Sequence, residues 1–254
     1  MYFSEDELLK IRTEYKAVHK KRIELSEAYL THPYTNAKAR EHAQHGFSRR
    51  LETMARCIDN TFMTLPPDNE DFPEKEDLLD ATINIQSFVF NAFGCIENLA
   101  WIWVSEKGLT KDDGSPIPKG WVGLGKKNKL VRRSFSPEFL EYLKTWDAWF
   151  NHLENFRHAL AHRIPLYIPP YVVSGDNEAA YQEIEDCKQE AFARMDIAEH
   201  NRLSAKQKAL CVFRPWMMHS FEEKTIPVVF HVQLLADFNT IEELGQKMLE
   251  EFSR

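Results

Sequence analysis

The sequence predicts an all-α protein: an up-and-down helical bundle with additional helices at its C-terminal end. Only nine of the 254 residues are glycine, so the frequent tight turns of a many-stranded fold are not expected. Hydrophobic residues make up 43% of the chain and charged residues 28%, a composition that supplies a sizeable core. Several long stretches repeat apolar residues at three- and four-residue steps, which is the period of an amphipathic helix.

The first two helices are separated by a proline. The first is predicted over residues 4–30, with Ser4 as its N-cap and acidic residues in its first turn. The second begins after the His32–Pro33 break and runs to about residue 65, because the Pro66–Pro67 pair cannot continue a helix.

A third helix is predicted over residues 75–107 and is apolar nearly all round. Its segment 81–105 is long enough to cross a bilayer. That segment nevertheless contains polar side chains, which are costly in lipid: Asn84, Gln86, Asn91, Glu97 and Asn98. We therefore expect a buried core helix, with a membrane span as the alternative. The first residues carry acids where a signal peptide carries positive charge, which favours a cytoplasmic protein.

A loop rich in Gly, Pro and Lys is predicted over residues 109–135. Ser136 and Pro137 then have the residue types of an N-cap and a first helical position. The fourth helix that they begin is predicted to run to about residue 163, because the run IPLYIPP at 164–170 cannot continue it.

The C-terminal part is predicted to contain a polar helix over residues 177–210, a short extended stretch over 211–220 and a last helix over 228–252. We expect residues 1–170 to form the bundle and residues 171–254 to pack on it as a helical extension, giving one compact domain.

Charge and cysteine usage exclude several classes of protein. The net charge of −7 argues against general DNA binding, because such binding requires many cations against the phosphates. The cysteines are far apart and form no C-x-x-C pair: Cys57, Cys95, Cys187 and Cys211. We therefore expect reduced thiols, as in the cytoplasm, and neither a disulfide framework nor a zinc knuckle.

The fourth predicted helix ends in the sequence ENFRHALAHRIPLY. At about 100° per residue its apolar residues fall on one face, and Arg157 falls on that same face. A buried guanidinium is costly unless an acid or a phosphate pairs with it. His162 lies on roughly the opposite side, with His158 one turn before it. We therefore expect Arg157 and His162 to form a compact site only where this helix packs against a second copy across a two-fold axis.

The run Arg157-His158-Ala159-Leu160-Ala161-His162 fits the R-x4-H motif of the HEPN superfamily, and the chain resembles prokaryotic-type members of it. The preceding apolar stretch FNAFGCIENLAWIWV resembles the helix that packs against the motif helix in those domains. The resemblance covers roughly residues 75–171. It implies a helical bundle that dimerises through the motif helices. Many HEPN proteins are metal-independent endoribonucleases in host defence or toxin–antitoxin systems, whereas others bind nucleotides or proteins without catalysis.

The resemblance implies roles for four residues in cleaving single-stranded RNA through its own 2′-hydroxyl. His162 would be the general base or acid, because an imidazole titrates near neutrality. Arg157 would stabilise charge on the phosphorane oxygens, and His158 would contact phosphate or carry a second proton. Glu97, on the preceding helix, would orient Arg157. The alternatives are an Arg and a His favoured at a helix end by the macrodipole, and a buried Glu97 paired elsewhere.

Six cations occur without an acid between Ser115 and Ser136. We expect this stretch to contact the RNA backbone and to offer a tryptophan as a stacking face: Lys119, Trp121, Lys126, Lys127, Lys129, Arg132 and Arg133. A solvated loop without a ligand is the alternative. The run from Gly120 to Lys127 is not a P-loop, because Lys127 stands where Ser or Thr would hold magnesium and no strand precedes it.

Two other functions stay open. A non-catalytic HEPN-like module would bind a nucleotide or a partner protein, and the low net basicity favours it. A metal-dependent hydrolase would instead bind zinc or iron through Glu154, His158 and His162, which share a helical face. The ribonuclease prediction requires no metal and no cofactor. Its implied partners are RNA, a second copy of the chain and an antitoxin or nucleotidyltransferase; no membrane is implied.

Overall fold

The computed structural model describes residues 2–220 and 226–254 and shows the all-α class that the sequence predicts. The helices are α1 (Glu5–Thr31), α2 (Ala37–Glu41), α3 (Ser48–Thr64), α4 (Lys75–Glu106), α5 (Lys129–Arg132), α6 (Pro137–Thr145), α7 (Asp147–His162), α8 (Glu178–Ala193), α9 (Ile197–Lys208) and α10 (Phe230–Phe252). Four two-residue strands accompany them: β1 (Val172–Val173), β2 (Cys211–Val212), β3 (Trp216–Met217) and β4 (Val228–Val229).

The first two predicted helices are confirmed. Ser4 and Glu7 form a capping box at the start of α1, in which the Ser4 amide donates to the Glu7 carboxylate at 2.8 Å. The second predicted helix contains an irregularity that the sequence pattern did not reveal. A π-helical turn, His42–Phe47, lies between α2 and α3, and such turns are often found at functional sites.

Helix α4 lies at the centre of the bundle and contacts α2, α3, α7 and α10. It is long and apolar enough to cross a membrane, but 61% of its most apolar segment is buried inside the protein. Its fully buried residues include Ile85, Phe88 and Leu99. The helix therefore fits the core of a soluble protein, as predicted.

The C-terminal helix α10 is part of the same core, because it packs on α1, α3 and α4. Phe230 and Phe238 are fully buried, and the Tyr29 hydroxyl donates to the Gly245 carbonyl at 2.9 Å. Helix α10 thus completes the bundle, whereas α8 and α9 pack mainly on each other. Strand β1 pairs with β2 and β3 pairs with β4, both antiparallel, in agreement with the extended stretch expected near residues 211–220.

Two predicted helices are each divided in the structure. The helix expected over residues 136–163 breaks at Trp146, whose φ of −97° and ψ of 2° turn the chain between α6 and α7. The helix expected over residues 177–210 breaks at Met195, which has a φ of +59°. At the first break the apolar steps of three and four residues continue from Leu143 through Trp146 to Phe150, so periodicity does not reveal it. The predicted loop also contains the short helix α5.

Candidate functional site

Arg157 lies in the last turns of α7, on the side that faces α4. The buried residues of α7 are Phe150, Leu153, Phe156 and Ala159, and Arg157 beside them is half-buried. Its guanidinium carbon is 5.5 Å from the centre of the Phe93 ring on α4, a cation–π contact. Within residues 2–220 and 226–254, Arg157 makes neither a hydrogen bond nor an ion pair. A half-buried cation therefore remains uncompensated.

Arg157 lines a cavity of about 230 Å³ between α4, α7 and the loop that precedes α5. Part of its lining is apolar and comes from Phe93, Ile96, Phe150 and Leu124. Charged walls come from all three elements: Glu97, Lys119, Lys127, Glu154 and Arg157. The fold thus brings the motif arginine together with part of the basic loop, two features that are separated along the sequence.

Glu97 lines this cavity but is exposed, so it is not the buried acid of the alternative interpretation. It forms no ion pair with Arg157 in the described part of the chain. The contact by which Glu97 was expected to orient Arg157 is therefore not formed in this structure, although both groups face one cavity.

Glu154 pairs instead with two cationic groups at the edge of the cavity. Lys127 donates to its carboxylate, and His158 Nε2 lies 3.7 Å from Glu154 Oε1. The side chain of Glu154 is 27% exposed, against 65% for Lys127 and 48% for His158. Lys127, which lines the same cavity as Arg157, is thus held by a carboxylate of α7.

His158 and His162 lie together on the exposed side of α7, with ring centroids 5.9 Å apart. Neither histidine lines the cavity that holds Arg157. The predicted placement of Arg157 and His162 on opposite sides of the helix is confirmed. One chain therefore presents the arginine inside a cavity and the two histidines outside it.

The basic loop has a defined conformation around Asn128, which is buried and donates to the Trp121 carbonyl at 2.9 Å. Gly123 makes this possible, because a Cβ there would lie 2.7 Å from Asn128 Oδ1. Trp121 is 55% exposed and lines a second cavity of about 520 Å³. Lys127 lines both cavities, so the cavity of Arg157 and that of Trp121 share a lysine.

The expected RNA contact of Arg132 is wrong. Arg132 is buried, and its guanidinium donates to the Asp147 carboxylate at 2.5 Å and to the Leu124 carbonyl at 2.8 Å. It also reaches the Leu143 carbonyl at 3.4 Å, and so fixes the break between α6 and α7. Arg133 pairs with Asp112 at the surface. The other predicted contacts are exposed: Lys119, Trp121, Lys126, Lys127 and Lys129.

Sequence reasoning missed Arg50 on α3. This arginine is half-buried against a different face of α4 from Arg157, and it has no carboxylate partner among the described residues. The available signal was Gly94 in the middle of an otherwise uninterrupted apolar helix, because such a glycine often marks a close approach of another group.

The metal-binding alternative finds no geometric support in the described ranges, where no group of three or more His, Cys, Asp and Glu side chains is arranged to hold a metal ion. Glu154 and His158 approach each other, but His162 contacts His158 through its ring.

A scan against protein-family models and searches of curated proteins and solved structures find no match to this chain. The resemblance to HEPN domains therefore rests on the residues of α4 and α7 themselves.

Proposed function

We propose that this protein is a metal-independent endoribonuclease of HEPN type that cleaves single-stranded RNA at the end of α7. The observation that carries the proposal is the state of Arg157, a half-buried guanidinium that pairs with no carboxylate of the described residues, in a cavity that Lys119 and Lys127 also line. Leaving such a cation unpaired is unfavourable unless an anion binds it. A phosphodiester matches its planar set of donors.

The proposed reaction needs only proton transfer and charge stabilisation. The 2′-oxygen attacks the adjacent phosphorus and the bond to the 5′-oxygen breaks, which leaves a 2′,3′-cyclic phosphate and a 5′-hydroxyl. His162 takes the proton from the 2′-hydroxyl, and His158, with its ring centroid 5.9 Å away, gives one to the leaving oxygen. Arg157 stabilises the negative charge that builds on the non-bridging oxygens.

The separation of Arg157 from His162 on one helix requires a second copy of the chain. The exposed side of α7 carries small and polar residues, among them Ala148, Asn151 and Asn155. Such a surface allows two helices to approach closely but buries little apolar area, so the proposed homodimer would be weak without RNA. Within it, the histidines of one copy would reach the cavity of the other.

A second candidate function is a non-catalytic module that binds a nucleotide or a partner protein, such as an antitoxin or nucleotidyltransferase. The observation that favours it is that neither histidine lines the Arg157 cavity within one chain. On this proposal the cavity holds a phosphate group, Trp121 stacks on a base, and no bond is broken.

The two proposals are separated by incubating the protein with single-stranded RNA in excess EDTA. The ribonuclease proposal expects cleavage that leaves 2′,3′-cyclic phosphate ends and that is lost in His162→Ala and Arg157→Ala. The matched control is His200→Ala, which removes a partly exposed histidine from α9. Binding without cleavage in the wild-type protein would favour the second candidate, and full activity in His162→Ala would overturn the first.

A further inference from the structure

Arg50 lies in a polar network between α3 and α4. Its Nε donates to Asn98 Oδ1 at 3.0 Å and its Nη1 donates to Asn91 Oδ1 at 3.1 Å. The Asn98 amide in turn lies 3.2 Å from His42 Nδ1, and the His42 ring stacks on Trp101. Amide oxygens orient the guanidinium without neutralising it, so its positive charge stays uncompensated.

Two glycines provide the room for this network. A Cβ on Gly94 would lie 2.4 Å from the Arg50 guanidinium carbon, and a Cβ on Gly46 would lie 2.5 Å from Asn98 Nδ2. Gly46 belongs to the π-helical turn, which lies against α4. Close approach of the guanidinium to the α4 backbone thus depends on both glycines.

Arg50 and Arg157 approach α4 at the same level but on two different faces of that helix. Arg157 lies over Phe93, whereas Arg50 lies over Gly94, the next residue. Successive residues are rotated by about 100° around a helix axis. Phe90 and Glu97 fall between these two directions, and both are exposed. An exposed stripe of α4 therefore separates the two uncompensated arginines.

We propose that Arg50 binds a second phosphate of the RNA strand, which lies across this stripe from Arg157 to Arg50. The inference rests on the proposed function for the identity of the ligand. The chain has 39 acidic against 32 basic residues, so carboxylates are plentiful, yet neither arginine pairs with one in residues 2–220 and 226–254. An arginine whose N–H groups are held by neutral acceptors keeps its positive charge. A phosphate is suited to bind it, because its negative charge neutralises the guanidinium. Glu97 makes no ion pair with either arginine in the described residues.

The test measures binding rather than cleavage. A fluorescent 2′-O-methyl oligouridine, which cannot be cut, is titrated by anisotropy with the wild-type protein, Arg50→Gln and the control Arg56→Gln. Arg56 is exposed on another side of α3, so the control removes the same charge from the same helix. We expect Arg50→Gln to weaken binding about tenfold, the effect of one charge-assisted contact. The slope of log affinity against log salt should fall by about 0.7, the value for one phosphate of a single strand.

Gly94→Ala gives a second variant that keeps every charge. Its Cβ displaces the Arg50 guanidinium while alanine favours the helix, so the fold is retained and weaker binding is again expected. Equal affinity and salt slope in the wild-type protein, Arg50→Gln and Gly94→Ala would overturn the inference, as would a wild-type protein that does not bind the oligonucleotide. Binding that depends on Arg50, without cleavage of ordinary RNA, would support this site and reject the ribonuclease. Cleavage of RNA by a protein whose binding does not depend on Arg50 would support the ribonuclease proposal and reject the Arg50 site.

Discussion

The guanidinium of Arg157 lies over the ring of Phe93, with its carbon 5.5 Å from the ring centre, and meets no carboxylate in the described parts of the chain. The contact holds the arginine at the cavity wall without neutralising its charge. An arginine placed mainly for stability would more commonly pair with an acid, as Arg132 does with Asp147. Because a cation–π contact leaves the charge unneutralised, the guanidinium can still bind an anion, as the proposed function requires.

Replacing Arg157 by alanine should affect RNA and leave the fold nearly unchanged. The variant loses one cation–π contact and no ion pair, so the free energy of unfolding should fall by about 1 kcal/mol at most. Affinity for single-stranded RNA should fall about tenfold. Urea unfolding and anisotropy measure the two effects. The control is Arg194→Ala, which removes an exposed arginine directly after α8. Destabilisation by about 3 kcal/mol or more would make Arg157 a structural residue instead.

Arg132 should behave in the opposite way. Its side chain is 8% exposed and pairs with Asp147, so Arg132→Ala leaves the Asp147 carboxylate without its arginine and the Leu124 carbonyl without its guanidinium donor. We expect the free energy of unfolding to fall by about 3 kcal/mol. Arg133→Ala removes the neighbouring surface pair with Asp112 and should change it by about 0.5 kcal/mol. Similar urea midpoints for the two variants would contradict this assignment.

The sequence predicts most of the fold because helix caps and apolar periodicity are local signals. Ser4 caps α1 and Ser136 caps α6, where its hydroxyl accepts from the Phe139 amide at 3.2 Å. The break at Trp146 has no such signal, because it is fixed by Arg132, which precedes it by many residues. Tertiary contacts of this kind are not visible in a periodic pattern.

The candidate site was also predicted only where it depends on local geometry. Positions on one helix follow from its geometry, and the opposite placement of Arg157 and His162 is confirmed by the structure. Lys127 and Arg157 line one cavity because of the path of a long loop. The spacing of apolar residues along the sequence does not predict that path. Burial of Arg132 among the loop cations was not predictable either, because charge density along a sequence does not reveal which cation is paired inside the fold.

Met195 should be a site at which glycine stabilises the protein. Its φ of +59° places a long side chain in the left-handed region between α8 and α9, and that side chain is 76% exposed. Met195→Gly relieves this strain, with an expected gain of about 1 kcal/mol in the local stability of the two helices. Hydrogen exchange of α8 and α9 measures the gain directly. Met195→Ala, which keeps a Cβ, should show little of it.

The last prediction concerns Asp237, which is fully buried on α10. The Trp149 Nε1 and Gln233 Nε2 groups both donate to its Oδ1 at 2.7 Å, and burial raises the pKa of the carboxyl to about 6. The unfolded-state pKa is about 3.9. Because the folded pKa is the higher one, the folded state is favoured while the carboxyl is protonated. That contribution is lost as the pH rises from about 4 through about 6.

Asp237→Asn should therefore stabilise the protein at pH 8 and not at pH 4. Asparagine keeps an oxygen acceptor for Trp149 and carries no charge, so the gain at pH 8 should approach about 3 kcal/mol, equivalent to two pKa units. The control is Asp186→Asn on α8, where Gln182 donates to an exposed aspartate with the same four-residue spacing. Because that aspartate is exposed, the control removes no buried charge, and no gain comparable to that of Asp237→Asn is expected at pH 8.

The quantity to measure is the difference in the free energy of unfolding between Asp237→Asn and the wild-type protein. In the wild-type protein alone, buried His231 has a pH dependence opposite to that of Asp237. Burial lowers the pKa of His231 to about 4, although its ring bonds to the Leu65 carbonyl at 2.7 Å. Its contribution is present above the unfolded pKa of about 6.5 and is lost as the pH falls. When the wild-type protein and Asp237→Asn are both unfolded in urea from pH 4 to pH 8, the contribution of His231 is the same in each and cancels in the difference. A gain for Asp237→Asn that does not change over this range would show that the carboxylate stays charged in the folded protein.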